Sequence, residues 1–590
     1  MLLINPESTA APVVQRLTRT ARLLTLAAAL QGTAHAASVA PVAAPHGMVV
    51  TAQHLATQVG VDVLKAGGNA TDAAVAVAYA LSVVYPSAGG LMGGGFMLLH
   101  SAQGDTRFID FRETAPQAAQ RDMFLGADGQ PVKGRSTRSP LAVAVPGLVA
   151  GLELALQTQG SRPRAALLAP AIRLAEQGFA LTEGDAAMLA IAAPDLQKDP
   201  PSAALFAPGG RPLQAGQRLV QRDLAQVLRR VARQGAAGFY SGPTAQAIAR
   251  HQAATGGLLS TADLAGYRAL QREPVRCAYR GLQVVTAAPP SGGGVALCQM
   301  LQVLEPYPLK DWGWRSAQGV HVQIEAMRHA FVDRNHLLGD PAFVANPVAR
   351  LTSPAYAAEV RAAIAPGRAG TPETVRPGVA PHATWQEGPN TTHFSVVDRW
   401  GNAASVTTTL NDWYGARLTV PGTGLVLNNG MDDFSAKPGA PNLYGLAQGE
   451  ANAIAPGKRP LSSMTPTVVL KDGQVWMVLG TPGGSRIITS VLHTLLNVVD
   501  HGMDIQEAVD APRFHQQWLP AATNLEPFAL SPDTQALLRG WGHSFSDAQP
   551  ANHLAAILVG APKLNGPAVP GQRLFGANDP RRRTGLAAGH

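Results

Sequence analysis

Cysteine is nearly absent from this chain, with only two among 590 residues. Cys277 lies in strand-like text, Val275-Arg276-Cys277-Ala278-Tyr279, and Cys298 in helix-like text, Val295 to Met300. Neither belongs to a metal-ligand spacing, so no metal and no cofactor is expected. Two buried free thiols are the expectation, with a single disulfide as the alternative in an oxidising compartment. Charge is also sparse, at 15% of residues, and the net charge of +8 is spread along the chain. A nucleic-acid binder concentrates basic residues and interleaves aromatics, and aromatics here are only 5%. Nucleic acid is therefore excluded as a partner. The one tight basic run, Arg581-Arg582-Arg583, reads as a solvated tail. Long apolar runs are missing too. The longest near the N-terminus, Leu23 to Leu30, is too short to span a bilayer.

What the chain has in quantity is apolar residues, 46%, together with 61 Gly and 46 Pro. This reads as a large, well-buried α/β protein with frequent turns. Residues 1–36 read as a cleaved secretory signal. Arg16, Arg19 and Arg22 precede the apolar run, and Ala34-His35-Ala36 offers an A-x-A cleavage site. The lead before Arg16 is long for such a signal. The expected location is periplasmic or secreted, with no membrane span in the mature chain.

Glycines stop a helix at Gly67-Gly68. Asn69 or Thr71 caps the next one, Asp72 to about Val84, whose Ala, Val and Leu imply burial on most sides. The run Gly89 to Gly95 lacks a phosphate-loop lysine and does not open a helix, so it implies close backbone packing and not a nucleotide site. Residues 108–111 read as a strand that ends at Arg112. Helical text covers residues 139–180, 219–265 and 316–339. A Pro/Gly/Ser turn over 286–294 leads into a helix ending near Leu304. After residue 391 the texture turns to strands. His393 to Asp398 and Ala403 to Thr409 form a hairpin about Arg399 to Asn402. Residues 468–470, 475–479 and 555–559 are further strands, and 487–499 and 505–511 further helices.

The change of texture falls at Gly388-Pro389-Asn390-Thr391-Thr392-His393. A hydroxyl residue at the start of a strand, after a Pro-dotted lead-in, is where a chain could cut itself. A threonine with a free α-amine holds both nucleophile and base. Such an amine has a pKa of about 7.7–8.0, so part of it is neutral near pH 7.

Several motifs now stand in one order: Gly67-Gly68-Asn69-Ala70-Thr71-Asp72, Phe111-Arg112-Glu113-Thr114-Ala115-Pro116, Thr391-Thr392-His393-Phe394, Met431-Asp432-Asp433-Phe434, Pro460-Leu461-Ser462-Ser463 and Gly480-Thr481-Pro482-Gly483-Gly484. In these the chain resembles the γ-glutamyltransferases, or glutathione hydrolases, of the N-terminal-nucleophile hydrolase superfamily. The resemblance covers nearly all the mature chain. It implies a four-layer αββα fold and a precursor that cuts itself between Asn390 and Thr391. Residues 37–390 would form a large subunit and 391–590 a small one, held together as a heterodimer. Thr391 would be the nucleophile, Thr409 would orient it, and the N–H groups of Gly483 and Gly484 would hold the oxyanion. Arg112, Ser462 and Ser463 would bind the α-carboxylate of a γ-glutamyl substrate, and Asp433 and Asn411 its ammonium. Lys437 to Gly449, with Tyr444, would form a lid. The substrates implied are glutathione and other γ-glutamyl amides, with water, amino acids or peptides as acceptors.

One position departs from the pattern. Gly430 stands where family members often have Gln or Glu to help hold the ammonium. Three readings follow: a γ-glutamyltransferase, an acylase of the cephalosporin/glutaryl kind, or an unprocessed homologue with no activity.

Overall fold

The strand Thr392–Val397 sits near the middle of a seven-stranded antiparallel sheet. Its order is Leu586–Gly589, Met48–Thr51, Thr392–Val397, Ala403–Thr409, Gly94–His100, Thr106–Phe111, Leu270–Arg272. A second such sheet runs Val42–Ala44, Leu574–Asn578, Ala555–Val559, Gln474–Gly480, Thr467–Lys471, Leu282–Thr286, Val275–Tyr279. The computed structural model describes residues 38–375, 391–548 and 552–590, and residues 41–590 pack as one unit. The expected signal segment and Asn390 lie outside the described residues.

Three apolar cores set the layers. Val50, Phe96, Leu98, Val468, Val478 and Ile557 pack between the two sheets. The outer face of the first sheet packs against helices that include His54–Lys65, Ala70–Val84 and Leu148–Gln159. The outer face of the second packs against Gly293–Leu304, Ala317–Leu337 and Arg486–Val499. The result is the expected αββα stack, with residues on both flanks of each sheet alternating between two dry interfaces.

Local expectations hold where the physics is local. Asn69 caps Ala70–Val84 through a capping box with Asp72, and every residue of that helix is buried. The glycine run does permit close approach. A Cβ on Gly95 would stand 2.1 Å from the Thr407 carbonyl oxygen, and one on Gly93 would stand 2.2 Å from that of Thr409. Strand Gly94–His100 can therefore lie flush against Ala403–Thr409. Among the described residues no helix is long and apolar enough to cross a membrane.

Two expectations fail. Cys277 and Cys298 are not free thiols. They form a disulfide, with Cα atoms 5.8 Å apart. The strand Val275–Tyr279 and the helix Gly293–Leu304 pack side by side, which brings the two Cα atoms within bridging range. The bond closes a sequence separation of 21 residues, and loop-closure entropy for that length is worth about 3 kcal/mol. Reduction, or Cys277→Ser with Cys298→Ala, should lower the unfolding free energy by about that amount, read from urea unfolding with and without reductant.

Nor is Arg581-Arg582-Arg583 a solvated tail. Arg581 pairs with Glu526 at 2.7 Å and Asp579 at 3.0 Å. Arg582 donates to the Tyr85 hydroxyl. The chain then returns as the edge strand Leu586–Gly589, beside Met48–Thr51. The run is anchored by carboxylates up to 55 residues away in sequence, which local composition does not reveal.

Candidate active site

Strand register builds the centre of the site. In the hairpin Thr392 faces Thr408, so Thr391 faces Thr409 across the pair. The two hydroxyl oxygens lie 3.4 Å apart, and both residues are buried. Thr409 Oγ1 accepts the Asn411 N–H at 2.8 Å, which directs its own proton away from that side. Two residues of the strand, His393 and Ser395, carry polar groups on the same face. His393 shares hydrogen bonds with Thr407 and Ser395, and Ser395 donates to the Ala555 carbonyl. Burial pushes the His393 imidazole down to about 3, so it is neutral and serves as a tie within the stack.

Asn411 has φ of +77°, a left-handed conformation uncommon for a side-chain-bearing residue. Its surroundings over-determine it. Besides the bond to Thr409, its Nδ2 donates to the Asn429 carbonyl at 2.9 Å. Tyr444 Oη lies 2.5 Å from its carbonyl oxygen and 2.8 Å from Oδ1, so one hydroxyl proton is shared between two acceptors. Tyr444 is the expected lid residue, and this contact ties it to Asn411 at the cavity.

Gly483 and Gly484 precede the helix Arg486–Val499, where backbone N–H groups lack intrahelical acceptors. Their φ values are +126° and +56°. A Cβ at Gly483 would stand 1.9 Å from Asn552 Oδ1, and one at Gly484 would stand 2.3 Å from the Tyr444 ring. Both glycines are therefore required by conformation and by space.

On the other side, Ser462 donates its N–H to the Pro290 carbonyl, and its own carbonyl accepts from Gly292 N–H at 2.9 Å. The 286–294 turn thus holds the serine pair. Asp433 ends the 3₁₀ turn Gly430–Asp433. Thr391, Thr409, Asn411, Asp433, Tyr444, Ser462, Ser463 and Gly484 all face one cavity of about 20 Å³, room for about one water molecule.

Arg112 and Gly483 are not in the wall of this cavity. Arg112 lies fully buried behind Asp433. It donates to Glu113 at 2.7 Å, to Asp433, and to the Pro460 carbonyl at 3.3 Å. Burial opposes its charge, but Glu113 and Asp433 together hold it protonated. Gly430 is buried, and a Cβ there would meet Asn428 Oδ1 at 3.3 Å and Glu113 Oε1 at 3.5 Å. Sequence reasoning missed Arg334. From the helix Ala317–Leu337 it reaches the cavity and donates to Ser463 Oγ at 2.8 Å. Burial pushes its guanidinium down to about 10, with Asp433 opposing.

Asp432 ties the segment before Tyr444, accepting from Ser136 Oγ at 2.5 Å and from the Leu443 N–H at 2.9 Å. Burial, with help from Asp433 and Asp412, pushes its carboxyl from 3.8 up to about 7. An acid with a raised native pKa binds its proton more tightly when folded. Its contribution to stability is full below about pH 4, falls as pH rises to about 7, and is lost above. Asp432→Asn does not titrate. The wild-type unfolding free energy minus that of the variant should therefore fall between pH 4 and 7, by about 4 kcal/mol at most. Chemical unfolding of both proteins across that range measures it.

The profile of the Gamma-glutamyltranspeptidase family matches residues 56–589. The chain is 58% identical to a glutathione hydrolase proenzyme of Pseudomonas sp. (strain A14), over 94% of this chain and 96% of that one. It is 46% identical to the glutathione hydrolase proenzyme of Escherichia coli (strain K12), over 93% of each. A cephalosporin acylase from Bacillus halodurans has the same fold, with a TM-score of 0.81 at 29% identity, over 95% of this chain and 98% of that one. Matched along almost its full length by the family profile and by these relatives, the chain belongs to the gamma-glutamyltranspeptidase family of enzymes.

Proposed function

We propose that the chain is a self-cutting γ-glutamyltransferase and glutathione hydrolase. The observation that carries this is the convergence on one cavity of Thr391, Thr409, Gly484, Asp433 and the Ser462-Ser463 pair. In the precursor, Thr391 Oγ1 attacks the carbonyl of Asn390 and the peptide passes to an ester. As the acyl group moves to oxygen the Asn390–Thr391 C–N bond breaks and the Thr391 amine is freed with a proton, and water then opens the ester to leave the Asn390 carboxylate and the Thr391 hydroxyl. In turnover the amine takes the hydroxyl proton while Oγ1 attacks the γ-carbonyl of the substrate. The N–H groups at Gly483-Gly484 stabilise the oxyanion. The amide C–N bond breaks, the leaving amine departs with a proton, and a γ-glutamyl ester remains. Water or an acceptor amine releases it. Residues 37–390 and 391–590 then work as a heterodimer. The Cys277–Cys298 disulfide fits an oxidising compartment and supports a periplasmic or secreted location.

Gly430 favours a second reading, an acylase of less polar acyl groups, and the likeness to a cephalosporin acylase fold supports keeping it. Rates on γ-glutamyl and glutaryl anilides decide between them. The first reading expects γ-glutamyl cleavage to dominate, and dominance of glutaryl cleavage overturns it. A denaturing gel with N-terminal sequencing of the smaller band tests the cut: it should begin at Thr391, and a full-length band alone would favour the inactive homologue.

A further inference from the structure

A buried group of ligating side chains lies away from the cavity just described. His321 and Glu325 stand four residues apart on the helix Ala317–Leu337, hence on one face. His543 joins them from 222 residues further along the chain. One ligand atom from each of the three lies within 4.8 Å of the others, and all three residues are buried. The chain has no disulfide, lid or nucleophile role for any of them.

The orientation of His321 is set from outside the group. Its Nε2 lies 3.0 Å from the Ala365 carbonyl oxygen, which can only accept, so Nε2 carries the proton and Nδ1 presents a lone pair. This is the arrangement in which a backbone carbonyl fixes the tautomer of a metal-binding histidine. That lone pair faces His543 Nε2 at 2.8 Å. Glu325 Oε1 is buried and has no hydrogen-bond partner among the described residues. Its nearest cation is Arg328 Nε, at 3.6 Å, a loose pair in which Arg328 Nε and Nη1 also lack hydrogen-bond acceptors.

We propose that His321, Glu325 and His543 form a binding site for a zinc ion. Two imidazoles and one carboxylate are a donor set that zinc accepts in tetrahedral geometry. Zinc–nitrogen bonds near 2.0–2.1 Å require the two imidazole nitrogens to spread by roughly half an ångström from their present contact. Arg328 must turn away from Glu325 as the ion takes over the carboxylate.

The ion would act as a staple. His321 is tied to Ala365, and Glu325 abuts Gly370, where a Cβ would stand 2.5 Å from Oε2. His543 follows Trp541, whose carbonyl accepts from the Ala369 N–H at 2.8 Å. On the reading that the chain is cut before Thr391, two ligands belong to the large subunit and one to the small, so zinc would join the two pieces after cutting. Ion binding itself does not depend on that reading.

The test uses the full chain, stripped with a chelator and dialysed, then titrated with zinc chloride alone. One equivalent should bind, and the melting temperature should rise. Cobalt(II) in place of zinc should give the intense visible absorption of a tetrahedral site. His321→Gln and His543→Gln should each weaken binding by at least the ~100-fold that loss of an outer partner alone can cost. Circular dichroism and the rate of anilide cleavage check that both variants fold. Wild-type binding and melting shift in both folded variants, or no binding by the wild type, would overturn the proposal. The titration is repeated on uncut Thr391→Ala protein. Binding there, with no smaller band from the wild type, would uphold the zinc site while sinking the cut. Zinc-slowed separation of the two pieces in urea would uphold both.

Discussion

Thr391→Ala is expected to leave the chain in one piece on a denaturing gel and to lower amide turnover by about 10⁴-fold or more. Both losses follow from one atom. Oγ1 is the group that would form the ester in self-cutting and in turnover, and the hydrogen-bond partner placed beside it is Thr409 Oγ1 at 3.4 Å. His393, the nearest imidazole in sequence, is neutral and tied to Thr407 and Ser395, so it cannot stand in. Thr391→Ser keeps a hydroxyl and should keep both reactions at reduced rate. Thr409→Ala keeps the nucleophile but loses its positioning partner. It should cut slowly and lose about 10²-fold in turnover, the scale on which small misplacements act. A Thr391→Ala chain that still cuts before residue 391 would remove threonine from the mechanism.

The parts of this site that were legible in sequence are those whose physics is local. The step from Pro-dotted text to strand text at Thr391 and the strand ending at Arg112 each carry their own signal, whereas the glycine pair at 483–484 was named through the family resemblance. The parts that were not legible depend on partners far along the chain. Arg334 reads as one more basic residue in helical text, because Ser463, which it serves, lies 129 residues on. The disulfide depended on the packing of a strand against a helix, which spacing alone does not determine. The edge strands Val42–Ala44 and Leu586–Gly589 are three and four residues long, too short for an alternating pattern to stand out, and the second pairs with residues over 500 positions earlier. Arg581 looked exposed because Glu526, which pairs with it, lies 55 residues away, although Asp579 stands only two residues before it. Even for Arg112, the family resemblance implied a substrate ligand but not its present state, in which Asp433 already holds it.

That state leads to the other large effect. Arg112→Gln should destabilise the protein by about 3–5 kcal/mol, because it strands the buried carboxylates of Glu113 and Asp433. It should also lower kcat/KM for a γ-glutamyl anilide by about 10²–10³-fold, mostly through KM. On the proposed reading, the glutamate end of the substrate replaces one internal pair by two external ones. Its ammonium takes Asp433 and its carboxylate takes the guanidinium arm that Asp433 releases. A glutaryl group brings the carboxylate without the ammonium, so it would part Arg112 from Asp433 and leave Asp433 buried and unpaired. The exchange therefore discriminates for the zwitterion even with glycine at position 430. Arg112→Lys is not a rescue: one ammonium cannot reach Glu113, Asp433 and the Pro460 carbonyl together as the guanidinium does. Adding Asp433→Asn to Arg112→Gln removes one stranded charge and should recover part of the stability but none of the activity. Recovery of turnover in that double variant, or an unchanged KM in Arg112→Gln, would show that the pair is structural and that the substrate is held elsewhere.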